Sequence, residues 1–353
     1  MAASNRHATP PEARTAMSNE ELPLDPARPI IDPHLHAWEI QAAADAPQQA
    51  QRFLLHESAQ TIAASGHNVT HSVFVECHQM YRADGPATLR CLGETEFANG
   101  IAAMSASGSY GPARLAHRIV GTADLTLGAA VRDVLEAHLR AAGERFRGIR
   151  MNTVYSDAPL FGLPPMPELQ HLLCSRSFQE GAGILADLGL SLDVWNLGSQ
   201  LDDVIALADA VPDLTIVLDH CGTPELHGRR SEPGSEAFSQ WQDAIRRLAE
   251  RPNVRIKLGG LGMELTGAIS AEAGPGRSAE LAARWRPTIA ACIDAFSPAR
   301  AMFESNFPPD KAAGSYGATW NAFKIIAAGF SEDEKDALFR HTAASTYAIA
   351  LDS

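Results

Sequence analysis

Short runs rich in apolar and β-branched residues alternate with longer segments of helical spacing from residue 29 onward, and the cycle repeats eight times. The runs span residues 29–36, 69–78, 118–123, 146–152, 190–195, 214–220, 254–259 and 301–306. Between them, segments 127–142, 201–210, 238–251 and 281–296 carry apolar residues at helical intervals. Such alternation is how a parallel sheet of βαβ units reads, because strands buried on both faces become near-continuous apolar runs. An open, doubly wound sheet alternates in the same way. Here, however, no GxGxxG or phosphate-loop glycine pattern follows any run. The expected fold is therefore α/β, a (β/α)8 TIM barrel, and 353 residues suit one such domain with enlarged loops.

The barrel is expected to occupy residues 29–353. Residues 1–28, rich in Ala, Pro, Glu and Arg and without the apolar core of a secretory signal, read as a disordered tail. A last helical segment, 332–350, is expected to pack across the outside. The loops after the first, fourth and sixth runs are long and contain Pro and Gly, as substrate-enclosing loops do. Acids outnumber Lys and Arg by 42 to 29 with no basic run, which argues against nucleic acid as a partner. No apolar stretch is long enough for a membrane helix. Five cysteines without a CxxC pair indicate neither a disulfide framework nor a cysteine zinc site, and a reducing cytoplasm fits them. The expected partner is a small-molecule substrate. The oligomeric state stays open, with a homodimer among the candidates.

The first run ends in Ile31-Asp32-Pro33-His34-Leu35-His36. Side chains two apart on a strand share a face, so His34 and His36 enter the same space, where two imidazoles can grip a metal or polarise a carbonyl. The sixth run closes on Leu218-Asp219-His220-Cys221-Gly222, again an apolar stretch that ends in ionisable residues. His220 could complete a histidine cluster, with Asp219 orienting a neighbour. Glu304 precedes Asn306 by two and shares its face, as Glu76 does with His78 at the end of the second run. Either glutamate is a candidate general base or metal ligand. Arg147 and Arg150 lie on or beside the fourth run, and the planar guanidinium of Arg150 suits an acidic substrate. Lys257 interrupts the seventh run. It is a further candidate for substrate binding, though a paired structural cation inside the barrel is the plainer reading.

These two motifs, with the VRIKLGG run of 254–260 and Met302-Phe303-Glu304-Ser305-Asn306-Phe307-Pro308-Pro309-Asp310, resemble the amidohydrolase-related family over residues 29–350. The subgroup is similar to the sugar-lactone and pyrone-dicarboxylate lactonases. The resemblance implies a distorted barrel of the amidohydrolase type, with the HxH of the first strand, the sixth-strand His and an eighth-strand acid around the reacting carbonyl. It also implies that arginines near the fourth strand hold substrate carboxylates. Its members work with or without metal, so one divalent ion on His34, His36 and His220, zinc first, and a metal-free site are both expected forms.

Two departures matter. Where the family carries a Ser-Asp-Trp-Pro run, this chain has Asn306, and an amide cannot accept a proton as a carboxylate does. The fifth run, residues 191–196, lacks the histidine of metal-binding members, so full binuclear ligation is not expected. The leading function is hydrolysis of a small carboxylated lactone, with His34, His36, His220, Glu304 and Asn306 at the chemistry and Arg147, Arg150, Glu76 and Lys257 on the substrate. A metal-dependent non-oxidative decarboxylase and a non-catalytic binding barrel are the alternatives.

Overall fold

The computed structural model describes residues 21–40, 51–160, 164–224, 234–263, 266 and 275–351. In chain order the strands are β1 (Ile30–Leu35), β2 (Trp38–Ile40), β3 (Gln51–Phe53), β4 (Val69–Val75), β5 (Arg114–Gly121), β6 (Phe146–Asn152), β7 (Ser191–Trp195), β8 (Ile216–Leu218), β9 (Val254–Leu258) and β10 (Ala301–Phe303). Eight of them form one parallel sheet in the order β1-β4-β5-β6-β7-β8-β9-β10. A bridge between Leu35 and Phe307, with His36 N donating to Phe307 O at 2.9 Å, brings the last strand back to the first. Asp32 fastens that seam: it accepts from Ser305 N (3.1 Å), Ser305 Oγ (2.6 Å) and Tyr316 OH (2.9 Å). Its complete burial pushes its pKa up to about 6, against these hydrogen bonds. The result is a (β/α)8 barrel, and all eight expected runs are its strands. β8 and β10 are shorter than their runs because Asp219–Gly222 and Glu304–Asn306 leave the ladder. β2 and β3, a small antiparallel hairpin beyond β1, were not anticipated.

The helices are α1 (Leu55–Ser65), α2 (Leu92–Ala106), α3 (Val131–Ala142), α4 (Arg176–Asp187), α5 (Leu201–Ala210), α6 (Glu236–Ala249), α7 (Ser278–Phe296), α8 (Tyr316–Ile326), α9 (Glu332–Asp336) and α10 (Thr342–Thr346). Several start on a serine that accepts from the third backbone N–H beyond it: Ser175, Ser235, Ser315 and Ser331. They pack on the outward strand residues Ile30, Phe74, Ile119, Leu192, Ile216, Ile256 and Phe303, which merge with them in one apolar layer. Among the described residues no helix is long and apolar enough to cross a membrane, and all five cysteines are free thiols.

Two expectations are corrected. Residues 21–28 are not a loose tail: Leu24 N donates to Asn321 Oδ1 (2.7 Å), Lys324 Nζ to the carbonyls of Leu24 and Asp25, and Arg28 pairs with Asp336 and Glu332. The backbone of Leu24 and Asp25 and the Arg28 side chain supply these contacts, which composition does not reveal. Residues 1–20 lie outside the described part. Nor does segment 332–350 lie wholly across the outside. Beyond α9, Ala343, Ala344, Tyr347 and Ile349 join Ile31, Val73, Val75, Val120, Val217 and Met302 in a second apolar cluster that closes the interior from below. Arg118 holds this segment by donating to the carbonyls of Tyr347 and Ala348, and Tyr347 OH donates to Asp193 Oδ2 on β7 at 2.8 Å.

Candidate active site

The polar residues that interrupt the strands collect in two layers. The lower is wholly buried and holds Asp193, Asp219, Lys257 and Glu304. Lys257 Nζ donates to Asp193 Oδ2 (2.6 Å) and to His34 Nδ1 (3.0 Å), and pairs with Asp219 Oδ1 at 3.0 Å. Burial opposes its charge, but Asp193, Asp219 and Glu304 more than offset that and raise its pKa. Glu304 lies between two histidines: its Oε1 accepts from His220 N (3.0 Å) and Nδ1 (2.7 Å), and its Oε2 is 2.8 Å from His34 Nδ1. Glycines make room for this. A Cβ on Gly259 would stand 2.3 Å from Glu304 O, and one on Gly260, whose φ is +63°, would stand 2.3 Å from the His220 ring. The sharp turn at His220 is itself in the left-handed region, at φ 56°, where non-glycine residues gather at functional sites.

The upper layer surrounds a cavity of about 580 Å3. His36, Glu76, Arg150, Trp195, His220 and Asn306 line it, with Trp38 from the hairpin and Met263 beyond β9. His36 Nδ1 donates to Val75 O (2.8 Å), so its Nε2 is a lone pair, and it faces His34 Nε2 at 3.2 Å. Burial and then the Arg150 charge drive the His36 pKa down to about 3. Burial and Lys257 likewise hold His34 well below the usual range. For His220, burial opposes protonation, but the Glu304 carboxylate overcomes it and the pKa is raised. One imidazole is thus biased toward its charged form beside two neutral ones.

Arg150 commits two of its three nitrogens to Glu76, and its Nη1 faces His34 Nε2 at 3.4 Å and Asp219 Oδ2 at 4.0 Å. Nε donates to Glu76 Oε1 at 2.8 Å and Nη2 to the Glu76 main-chain oxygen, while Trp195 lies 5.8 Å from the guanidinium carbon. Glu76 Oε2 receives no hydrogen bond among the described residues. Behind it, Glu94 Oε1 accepts from Cys77 N and Gln79 N, each at 2.8 Å, and shapes the loop after β4. Burial, aided by the Glu76 charge, raises the Glu94 pKa to about 7.

Of the residues singled out from sequence, His34, His36, His220, Glu76, Arg150 and Asn306 come together here. Glu304 and Lys257 lie beneath them, outside the cavity lining, with Glu304, expected as a base, in contact with His220 and His34. Arg147 does not join: it is at the other end of β6, close enough to Arg118 to depress that residue's pKa. The parity argument for Glu304 and Asn306 gave a shared face but no depth. Asp193 escaped notice although it breaks an apolar strand just as Lys257 does, and that shared signal would have found the pair.

Asn306 has a specific partner. Its Nδ2 donates to Asp310 Oδ1 (2.8 Å), whose other oxygen accepts from Gly262 N (2.9 Å). Burial raises the Asp310 pKa to about 7. A raised acid favours the fold below its unfolded value of 3.8 and loses that contribution as pH climbs through about 7. Asn306→Asp would set two carboxylates together, so the variant should lose about 2–4 kcal/mol at pH 8 and clearly less at pH 5. Asn306→Asp with Asp310→Asn reverses the donor and acceptor and should recover most of the loss. Urea unfolding at both pH values measures this; an unaltered single variant at pH 8 would refute the pairing.

A metal ion suits the donors. His34, Asp219 and His220 offer ligand atoms within 4.8 Å of one another. Both Asp219 oxygens lack hydrogen-bond donors among the described residues, since Lys257 stands out of line. Glu76, Asp193, Asp219 and Glu304 also outnumber Arg150, Lys257 and a protonated His220 by one charge. His36 is not in that group, contrary to the expected set.

Comparison with known proteins bears on the family. An uncharacterized protein of Sinorhizobium fredii, y4mH, is 31% identical over 334 residues, covering 91% of this chain and 98% of its own. An L-fucono-1,5-lactonase of Burkholderia multivorans is 32% identical over 178 residues, 49% of this chain and 56% of the relative. A crystal structure of an amidohydrolase from Burkholderia multivorans with bound zinc superposes with a TM-score of 0.70 at 26% identity, covering 92% of this chain and 100% of that one. The amidohydrolase family model matches residues 31–349, from the first barrel strand to the segment that closes its floor, and the chain belongs to that family.

Proposed function

We propose that the protein hydrolyses a small, uncharged lactone in the cavity at the carboxyl ends of the strands. The observation that carries this reading is the meeting, in one cavity, of a charge-biased His220 with a carboxylate oxygen, Glu76 Oε2, that accepts no hydrogen bond among the described residues and has the exposed His78 Nδ1 at 3.5 Å. Glu76 takes a proton from water as the oxygen adds to the ring carbonyl. His220, its Nδ1 held by Glu304, has Nε2–H left to donate to the developing oxyanion. Collapse breaks the ring C–O bond, the proton returns from Glu76 to the leaving alkoxide, and a hydroxy acid is released. Asn306 is a hydrogen-bonding wall, since its amide cannot take the proton. A zinc ion, which imidazole and carboxylate donors favour, would be held by His34, Asp219 and His220 and would supply a Lewis acid to the same carbonyl in place of the His220 N–H, since a ligating Nε2 carries no proton.

The lining supports an uncharged substrate over the carboxylated one expected from sequence. Arg150 is the one guanidinium among the described lining residues, and Glu76 already takes two of its three nitrogens. Trp38, Trp195, Met263 and Pro309 offer apolar and aromatic surface suited to a sugar ring. The partial similarity to an L-fucono-1,5-lactonase supports the same class.

The test is proton release from a panel of aldonolactones and carboxylated pyrones, with the protein as purified and after loading with zinc. Uncharged aldonolactones should be opened with kcat/KM at least about tenfold above the carboxylated compounds, one charge-matched contact being worth that much. Carbon dioxide release from an aromatic acid, with no lactone opened in either form, would replace this reading with decarboxylation.

A further inference from the structure

A second cavity, of about 660 Å3, opens at the opposite end of the barrel, where β4 and β5 begin. Arg114, Arg118 and Arg145 line it with His71 and His117, against one acid, Glu144. A bulge gathers them. Between the pairs His71–Arg114 and Val73–Arg118, β4 advances two residues and β5 four, with Ala116 in the left-handed region at φ 49°. The rings of His71 and His117 meet at 4.6 Å.

Among the described residues none of these three arginines has a carboxylate within ion-pair distance. Arg114 donates to Pro112 O (3.1 Å), Arg145 to Asn99 Oδ1 (2.9 Å), and Arg118 to the carbonyls of His117, Tyr347 and Ala348. Arg28, Arg82, Arg132 and Arg251 are ion-paired, while Arg286 and Arg300 donate to carbonyls; what sets Arg114, Arg118 and Arg145 apart is that they line one cavity together. Three unpaired guanidinium groups in one concavity carry a cost in mutual repulsion. Burial, then Arg147 just outside the lining, and also Arg145 depress the Arg118 pKa, with Glu144 partly offsetting them. His117 is held down to about 4 by burial and then by His71, Arg118, Arg145 and Arg114, so it stays neutral and free to accept or donate. An anion would relieve this repulsion and find donors on Arg114 and Arg145, each of which commits only Nη1 to a protein acceptor among the described residues. The volume is that of a small-molecule site.

We propose that this cavity binds a small, multiply charged oxyanion, either a phosphate or a polycarboxylate, at a site separate from the catalytic one. Nothing in this assignment depends on the lactone reading. Titration calorimetry of the full chain at low salt, with inorganic phosphate and with citrate as probes, tests it and separates the two sources. One anion should bind per chain. Arg114→Gln and Arg145→Gln should each weaken it about tenfold or more, while circular dichroism stays that of the parent. Absence of binding by either anion at millimolar concentration, or binding that neither substitution weakens, overturns the proposal. Should Arg145→Gln not fold, Arg114→Gln decides, since its guanidinium gives up only the Pro112 carbonyl.

Discussion

A Glu76→Gln variant is expected to open lactones about two to four orders of magnitude more slowly than the parent, with KM little changed. Glutamine keeps an oxygen for Arg150 Nε, now held at 2.8 Å by Glu76 Oε1, so the wall of the cavity should survive. What it loses is the carboxylate that takes the proton. Glu304→Gln is the control. It is also expected to slow turnover, but through His220, whose Nδ1 would lose its carboxylate. Because Glu304 raises the His220 pKa, the parent is expected to show an alkaline limit in its rate profile; the Glu304 variant should move that limit to lower pH, and the Glu76 variant should not. A Glu76→Gln enzyme with near-parent kcat would remove Glu76 from the reaction and leave water activation to a metal-bound species.

Lys257→Met is expected to cost about 3–5 kcal/mol of stability, the loss seen when one partner of a buried ion pair is removed. Lys257 is fully buried and is the cation shared by Asp193 and Asp219. Without it, Asp193, whose pKa burial already raises to about 6 against the lysine's pull, would rise further. The variant should therefore be weakest above pH 7 and recover part of its stability below pH 5, as a protonated acid leaves no unpaired charge. Adding Asp193→Asn should restore at least half of the loss, since the amide oxygen still accepts from Tyr347 OH. Equal unfolding midpoints for parent and Lys257→Met at pH 8 would show that the lysine is solvated.

The strands and the histidines were legible in the sequence for the same reason. A barrel strand buried on both faces is written as an apolar run, so a polar residue at its end, such as His34, His36 or His220, stands out. Depth was not legible. Glu304 and Asn306 share a face by parity, yet Gly259 lets the Glu304 backbone approach so closely that its carboxylate sinks beneath the histidines. Arg147 and Arg150 look equivalent in a short motif, but three residues of strand separate opposite ends of β6. The pairing of Asn306 with Asp310 depends on a turn after β10 that no periodicity encodes. Helical spacing in 332–350 could not tell an outer helix from a plug, since both present an apolar stripe.

The plug has a bearing on how the chain is made. Tyr347 follows all eight strands in sequence, so a ribosome has produced every strand before the residue that covers Asp193 from below. Until then the floor of the barrel is open. Ile31, Val73, Val217 and Met302 remain wetted, and water beside Lys257 and Asp193 weakens an attraction that depends on its exclusion. The interior charges of this domain are sealed only by a segment made after all eight barrel strands. A nascent chain paused after β10 would hold a complete set of catalytic side chains over an unfinished core, and would be a natural client for chaperones.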